Sequence, residues 1–406
     1  MDNKPSYKIV FCLQSGNITT GAPKSLYHYL KYTGLNKKGF IVLLPFKGEN
    51  VDVFISDLAG MGIRTEIINK GLSFLPFERY LENPLLILNK IFALSIYIYR
   101  LVLFILREKP QALYINGSRG NTESLIGSFL GCKVLWHVRG LEDLNRCNMS
   151  AKKSLKIKVK LLRVKLHNMF AKTIIAVSKS EKNVLESILG NKVKDIFVVP
   201  NGIEEEFLQG QAEIKRSYNF DSRIRILCLM STICPTKGIY DVIDMVRILK
   251  TKNIEFVCSI YGRFDKAADS EDKIKRYCTD LTKDGYISFC GYTNDIAKVL
   301  AENDIFLYPS YFEGFPRAIL EAMASRIVIL ASGIDGILDQ VEDMESAILF
   351  QPGDVEAITN CIEKVVNDEV LKNKLIANAF GRVRENFLIK DVSARIDGII
   401  TDNLMI

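Results

Sequence analysis

The sequence predicts an α/β protein of two Rossmann-like domains, each a doubly wound parallel sheet, facing a central crevice. Three observations carry this expectation. The chain has 406 residues, well beyond the roughly 250–300 at which one hydrophobic core stops growing. Short apolar runs alternate with longer helical stretches from end to end, the signature of βα units. A turn at Pro200-Asn201-Gly202, followed by a polar run over 204–221, cuts the pattern in two.

The first series of runs is YKIVFCL, FIVLLP, IRTEII, ALYIN, KVLWHV, TIIAVS and DIFVVP, between residues 7 and 200. The second is IRILCLM, IEFVCSI, YISFCG, DIFLYP, IVILAS and SAILF, between 224 and 350. Each is rich in the β-branched and aromatic residues that suit a buried strand. The expected domains are 1–203 and 204–385, with a C-terminal helix over 386–406 packing back toward the N-terminal domain. Two open sheets of this kind present their strand carboxyl ends to a shared crevice, where ligands of the architecture bind.

Composition narrows the function classes. With 48% hydrophobic and 25% charged residues the chain reads as an ordinary globular protein. Its nine cysteines form no C-x-x-C pair, and Cys228, Cys258 and Cys290 lie inside strand runs, which predicts reduced core residues. Three histidines, far apart and without partners at ligand spacing, predict no structural zinc. The opening MDNKPSYKIVFCL is unlike a secretory signal, so a cytoplasmic location is expected.

Two segments bear on membranes. The run from Pro84 to Leu106 is apolar, but its uncharged part, Ile91–Tyr99, is too short for a span that needs about 20 residues. It reads as a buried or interface-lying helix. Lys152, Lys153, Lys156, Lys158, Lys160, Arg163 and Lys165 crowd a stretch in which Leu155, Val159, Leu162, Leu166 and Met169 recur at helical spacing. That is a basic amphipathic helix, either a solvated face packed on the core or a peripheral contact with anionic headgroups at a membrane's inner face. No aromatic residues interleave with the lysines, so a nucleic acid partner is not expected.

The loops at strand ends hold the candidate site. QSGNITTGAPKSL places Gly16 and Gly21 before a helix, where backbone N–H groups can approach an anion. MSTICPTKGIYDV sets Lys237 and Gly238 at another helix start. There a cation and the helix dipole together suit phosphate oxygens. His137 ends the run KVLWHV, and by itself fits a satisfied core histidine or a catalyst. In YPSYFEGFPRAILEAMAS, Glu313 and Glu321 have seven residues between them, and Pro316 marks the start of an apolar helix. A buried carboxylate costs several kcal/mol unless it is paired. Glu321 therefore needs Arg317 one turn back, or hydroxyls from a ligand.

These motifs resemble those of the retaining nucleotide-sugar glycosyltransferases of family 4, which have the two-domain B-type architecture. The likeness rests on VVPNGIEEEF at Val198–Phe207, PTKG at Pro235–Gly238, the E-x7-E stretch, LFQPGD at Leu349–Asp354 and ENFLIKDVSARI at Glu385–Ile396. The resemblance implies that Glu313 approaches the donor sugar and Glu321 holds the ribose. Backbone N–H groups of Gly314 and Phe315, just before Pro316, would meet the diphosphate, together with Lys237. It sets His137 at the reaction centre. The chain departs from the family at Ser231 and Thr232, where an arginine is usual, so Arg317 or Arg263 would share the diphosphate charge. Asp339 and Ala347 replace the usual glutamate and glycine. The implied activity moves a sugar from a nucleoside-diphosphate-sugar to a hydroxyl of a glycan or lipid-linked glycan acceptor with retention, in surface polysaccharide synthesis, with no metal and no cofactor. A nucleotide-sugar epimerase and a non-catalytic sugar-nucleotide-binding module are the alternatives.

Overall fold

A computed structural model describes residues 7–14, 21–46, 51–68, 84–118, 120–141, 155–190, 195–209, 223–252, 254–265 and 270–405. Gly16, Lys152 and Lys153 lie outside these residues. The chain divides into two compact units, Met1–Pro200 with Val392–Ile406, and Asn201–Asp391.

All thirteen apolar runs form strands. In the first unit these are β1 Ile9–Leu13, β2 Phe40–Leu44, β3 Arg64–Ile67, β4 Ala112–Asn116, β5 Lys133–Val138, β6 Thr173–Ala176 and β7 Ile196–Val198. They make one parallel sheet in the order β3-β2-β1-β4-β5-β6-β7. The helices are α1 Gly21–Tyr32, α2 Val51–Gly60, α3 Pro84–Glu108, α4 Asn121–Phe129, α5 Leu155–Phe170 and α6 Lys179–Leu189.

The period-2 alternation of the strands sorts their side chains onto two faces. Ile9, Phe11 and Leu13 of β1 join Leu26, Tyr29 and Leu30 of α1 and Phe54 and Leu58 of α2. Val10 and Cys12 point the other way, into a core with Leu101 and Phe104 of α3, Ile126 of α4, Val164 of α5 and Leu185 of α6. Fully burying one such side chain stabilises by about 1.5–3 kcal/mol. The face of α1 and α2 is completed by Val392, Ile396, Ile399 and Ile400. A polar latch fixes that last segment: Asp397 accepts from Tyr29 Oη at 2.8 Å, Thr33 Oγ1 at 2.6 Å and the Gly34 N–H at 2.7 Å.

The second unit holds β8 Ile224–Ile233, β9 Phe256–Phe264, β10 Ile287–Gly291, β11 Ile305–Tyr308, β12 Val328–Ser332 and β13 Ile348–Phe350. Its parallel order is β10-β9-β8-β11-β12-β13. Around it lie α7 Ile239–Lys250, α8 Ser270–Tyr277, α9 Thr279–Lys283, α10 Ile296–Ala301, α11 Arg317–Ala324, α12 Asp335–Leu338, α13 Val355–Asn367 and α14 Glu369–Asn386; a last helix, α15, spans Ile389–Met405. In each sheet the chain reverses its direction of winding beside the first strand, between β1 and β4 and between β8 and β11. Such switch points open a cleft above the strand carboxyl ends.

The basic helix needs a correction. α5 buries Ile157, Val164, His167 and Asn168, whereas Leu162 and Met169 of the expected apolar stripe face solvent. Both sets recur at helical spacing, and packing against α4 and α6 selects the first. Among the described residues no helix is long and apolar enough to cross a membrane.

Candidate active site

At the switch point of the second unit two loops interlock. β8 ends at Ile233 and turns through Pro235–Lys237 into Gly238, whose φ of 76° is the left-handed conformation that glycine tolerates. A Cβ at this position would collide with the carbonyl oxygen of Pro309, in the loop after β11. The Tyr311 N–H donates to Thr236 O at 3.0 Å, and its hydroxyl to Asp241 Oδ1 at 3.1 Å. The turn at Glu313-Gly314 lies so close to α12 that a Cβ on Gly336 would strike both its carbonyl oxygens.

Glu313 is the hub of this loop pair. Its Oε1 accepts from Lys237 Nζ at 2.5 Å, Tyr308 Oη at 2.7 Å and Ser310 Oγ at 2.9 Å. Burial, then the Glu313 charge, push the Tyr308 phenol well above its ordinary value, so it stays a proton donor. The side chains of Lys237 and Glu313 keep 22% and 14% exposure, enough for a ligand to reach them.

Helix α11 begins at Arg317 after Pro316, as its sequence predicts. Arg317 donates to Gly202 O at 2.6 Å and pairs with Glu204 at 3.3 Å. Its Nε lies 3.8 Å from Glu321 Oε1, at the outer limit of an ion pair. Asn201 donates to Phe315 O at 2.8 Å, and Gln340 to Pro316 O at 3.0 Å. Arg317 is therefore committed to the 201–204 segment and to Glu321. Arg263, the other candidate for diphosphate charge, has its guanidinium 4.4 Å from the Tyr292 ring centroid.

In the first unit His137 is wholly buried at the end of β5. Its Nδ1 hydrogen-bonds the Tyr114 hydroxyl and lies 3.4 Å from Arg139 Nη2, while Nε2 has no hydrogen-bond partner among the described residues. Burial, and then the Arg139 charge, hold the imidazole well below its ordinary value and so neutral. Gly21 opens α1, and the neighbouring Ala22 O accepts from Asn116 Nδ2 at 2.9 Å.

Sequence reasoning missed Glu181. This buried carboxylate accepts from the Gly140, Leu141 and Val177 N–H groups at 2.7, 3.1 and 3.2 Å, so it ties the loop after His137 to the start of α6. Burial raises its pKa, against the pull of those N–H groups and of Arg139. The available signal was Ser178-x-x-Glu181, a capping box whose Ser178 Oγ accepts the Glu181 N–H at 3.0 Å. Among the described residues no group of three or more His, Cys, Asp or Glu side chains could hold a metal ion.

Two parallel-sheet units with this loop pair define the B-type glycosyltransferase fold. The solved structure of HepE from Anabaena in complex with UDP has this fold, with a TM-score of 0.76 at 19% identity over 97% of this chain and 100% of that one. WaaG, described as a glycosyltransferase involved in lipopolysaccharide biosynthesis, gives 0.68 at 12% identity over 97% and 99%. Residues 210–382 match the family "Glycosyl transferases group 1". The chain is similar to the capsular polysaccharide biosynthesis glycosyltransferase CapM of Staphylococcus aureus, 24% identical over 71% of this chain and 76% of that protein. It is also similar to the UDP-Gal:alpha-D-GlcNAc-diphosphoundecaprenol alpha-1,3-galactosyltransferase of Escherichia coli, 24% identical over 59% and 64%. The second unit thus carries a glycosyl transferases group 1 domain, and the relatives the chain resembles are glycosyltransferases.

Proposed function

We propose that the chain transfers a hexose from a nucleoside-diphosphate-sugar to a hydroxyl of a glycan or lipid-linked glycan, with retention, in surface polysaccharide synthesis. The observation that carries this reading is the Lys237–Glu313 pair at the second unit's switch point, which joins the PTKG turn to the first glutamate of the E-x7-E stretch. An ammonium and a carboxylate side by side, both partly exposed, suit a ligand that brings an anion next to hydroxyls. Lys237 would turn to the diphosphate, with the Gly314 and Phe315 N–H groups and the Pro316 turn beside it, and stabilise the charge that develops as it leaves. Glu313, its partner lysine drawn away, would accept from the sugar hydroxyls, and Glu321 from the ribose. Carboxylate-to-hydroxyl bonds contribute about 1.5–3 kcal/mol each. Arg317 would act by holding Glu321. Gly16 and Gly21 would admit the sugar closely, and His137 would act beside it. No metal enters this scheme, because the cation and the backbone N–H groups carry the diphosphate charge.

Lipid-linked acceptors fit the names of relatives such as the E. coli galactosyltransferase, and would set the chain peripherally at the inner face of an anionic membrane. The test is a thermal-shift panel of nucleoside diphosphates and their sugars, followed by product analysis with polyprenyl-diphosphate-linked sugars. At 100 times its dissociation constant a ligand adds about 2.7 kcal/mol of stability. A shift with a uridine or other nucleoside diphosphate, and an α-linked product from an α-linked donor, support the proposal. An altered sugar nucleotide formed without acceptor would replace it with epimerisation, and binding without turnover by any acceptor with a binding module.

A further inference from the structure

Helices α3, α4 and α5 lie side by side on one face of the first sheet, α3 against α4 and α4 against α5. Their outward surface is unusual for a water-facing one. Phe92, Tyr99 and Leu106 of α3 are 67%, 64% and 52% exposed, Phe129 of α4 78%, and Leu162 and Met169 of α5 56% and 65%. Helical periodicity explains why these face out: α3 already buries Tyr97, Leu101, Phe104 and Ile105, which fill its inward stripe. Large exposed apolar patches mark interaction surfaces.

The charges select the partner. On α5, Lys158, Leu162, Lys165 and Met169 recur along one stripe, so cation and apolar group alternate across the same face. Lys160, Arg163 and, on α3, Arg100 are exposed as well. The only carboxylates on the three helices, Glu108 and Glu123, are both buried. Glu108 is taken by Lys8 and Arg64, and Glu123 by the Tyr97 hydroxyl. A second copy of the chain would bring the exposed cations of these helices against themselves, since a two-fold interface is self-complementary. An anionic bilayer offers phosphates to the cations and an acyl boundary to the apolar groups.

We propose that α3, α4 and α5 form a monotopic docking surface for an anionic phospholipid bilayer, with Phe92, Tyr99 and Phe129 entering the acyl boundary and the α5 cations meeting headgroup phosphates. This deepens the reading of a lipid-linked acceptor, and it is testable without donor or turnover.

The experiment is flotation of the purified chain with vesicles of phosphatidylglycerol and phosphatidylcholine, or of phosphatidylcholine alone. Binding to the anionic vesicles should be at least tenfold tighter and weaken in high salt. Phe92→Glu with Phe129→Glu, and separately Lys158→Glu with Lys165→Glu, should each cut binding at least tenfold with melting temperature unchanged, because all four side chains are exposed. Phe92→Trp should shift its emission to the blue on vesicle addition, over the constant background of the fully buried Trp136. Binding of the unmodified chain to neither vesicle, or binding by both substituted forms as tight as that of the unmodified chain, overturns the proposal. So does a dimer that Phe92→Glu with Phe129→Glu makes monomeric while no form binds vesicles. Failure of the unmodified chain to bind anionic vesicles, with its sugar transfer to a soluble acceptor intact, would remove this inference and leave the proposed activity standing.

Discussion

Lys237 and Glu313, 76 residues apart in the chain, meet at 2.5 Å where the loops after β8 and β11 interlock. The contact makes each residue the other's counter-ion, so a donor must exchange that pairing for its own diphosphate and hydroxyls. Lys237→Met should weaken nucleoside diphosphate binding by roughly 10- to 100-fold, for a loss of 1.5–3 kcal/mol. Glu313→Gln should leave that affinity unchanged or improve it, since it frees the lysine, and should lower kcat more than KM. Calorimetric titration of both forms checks this; weaker diphosphate binding by Glu313→Gln would reverse the assignment.

Glu321 is expected to hold a part of the donor that the reaction leaves alone. Glu321→Gln should raise the donor KM about 10- to 100-fold with little change in kcat. Unchanged kinetics would assign Glu321 to its contact with Arg317 alone.

Gly238→Ala places a methyl group against the Pro309 carbonyl at a backbone φ of 76°. Strain of this kind costs on the order of 1–3 kcal/mol. Urea unfolding should show that loss, together with weaker diphosphate binding, because the loop that carries Lys237 must shift.

Glu181→Gln presents an amide N–H₂ to backbone N–H donors that now find a carboxylate. The cost should be about 1–3 kcal/mol, and turnover should fall because Gly140 and Leu141 anchor the loop after His137. Glu181→Asp, which keeps the charge on a shorter arm, should recover part of both. A stability loss with kcat intact would make Glu181 purely structural.

His167 is stacked on Trp136, 4.4 Å between ring centroids, and burial with the nearby Arg163 charge lowers its pKa from 6.5 to about 3. The folded chain therefore stays neutral there while the unfolded chain takes up a proton below pH 6.5. Stability is full above that value and falls as the pH drops toward 3, by about 2 kcal/mol at pH 5. In His167→Phe the decline between pH 7 and 5 should be smaller by about that amount, read from urea midpoints.

The strands were legible because a buried parallel strand is a continuous apolar run bounded by turns, and all thirteen runs pair in the sheets. The Gly-Phe-Pro turn likewise fixed the start of α11. What the sequence hid were choices made at long range. Arg317 finds Glu204, 113 positions away, a partner that no local spacing announces. The inward face of α5 was decided by α4 and α6, because two stripes of the helix were equally periodic. His137 lies deeper than its place at a strand end suggested, since Tyr114 and Arg139 close over its Nδ1.

The Asp397 latch and its apolar neighbours carry one more consequence. Residues 392–405 supply part of the core built on 7–200, so in chain topology the second unit is an insertion within the first. Domains fold as units during synthesis. As the polypeptide emerges, Asn201–Asp391 has all its own segments before Tyr29 and Thr33 meet Asp397. The order of maturation is thereby inverted, and the unit begun first is the one finished last.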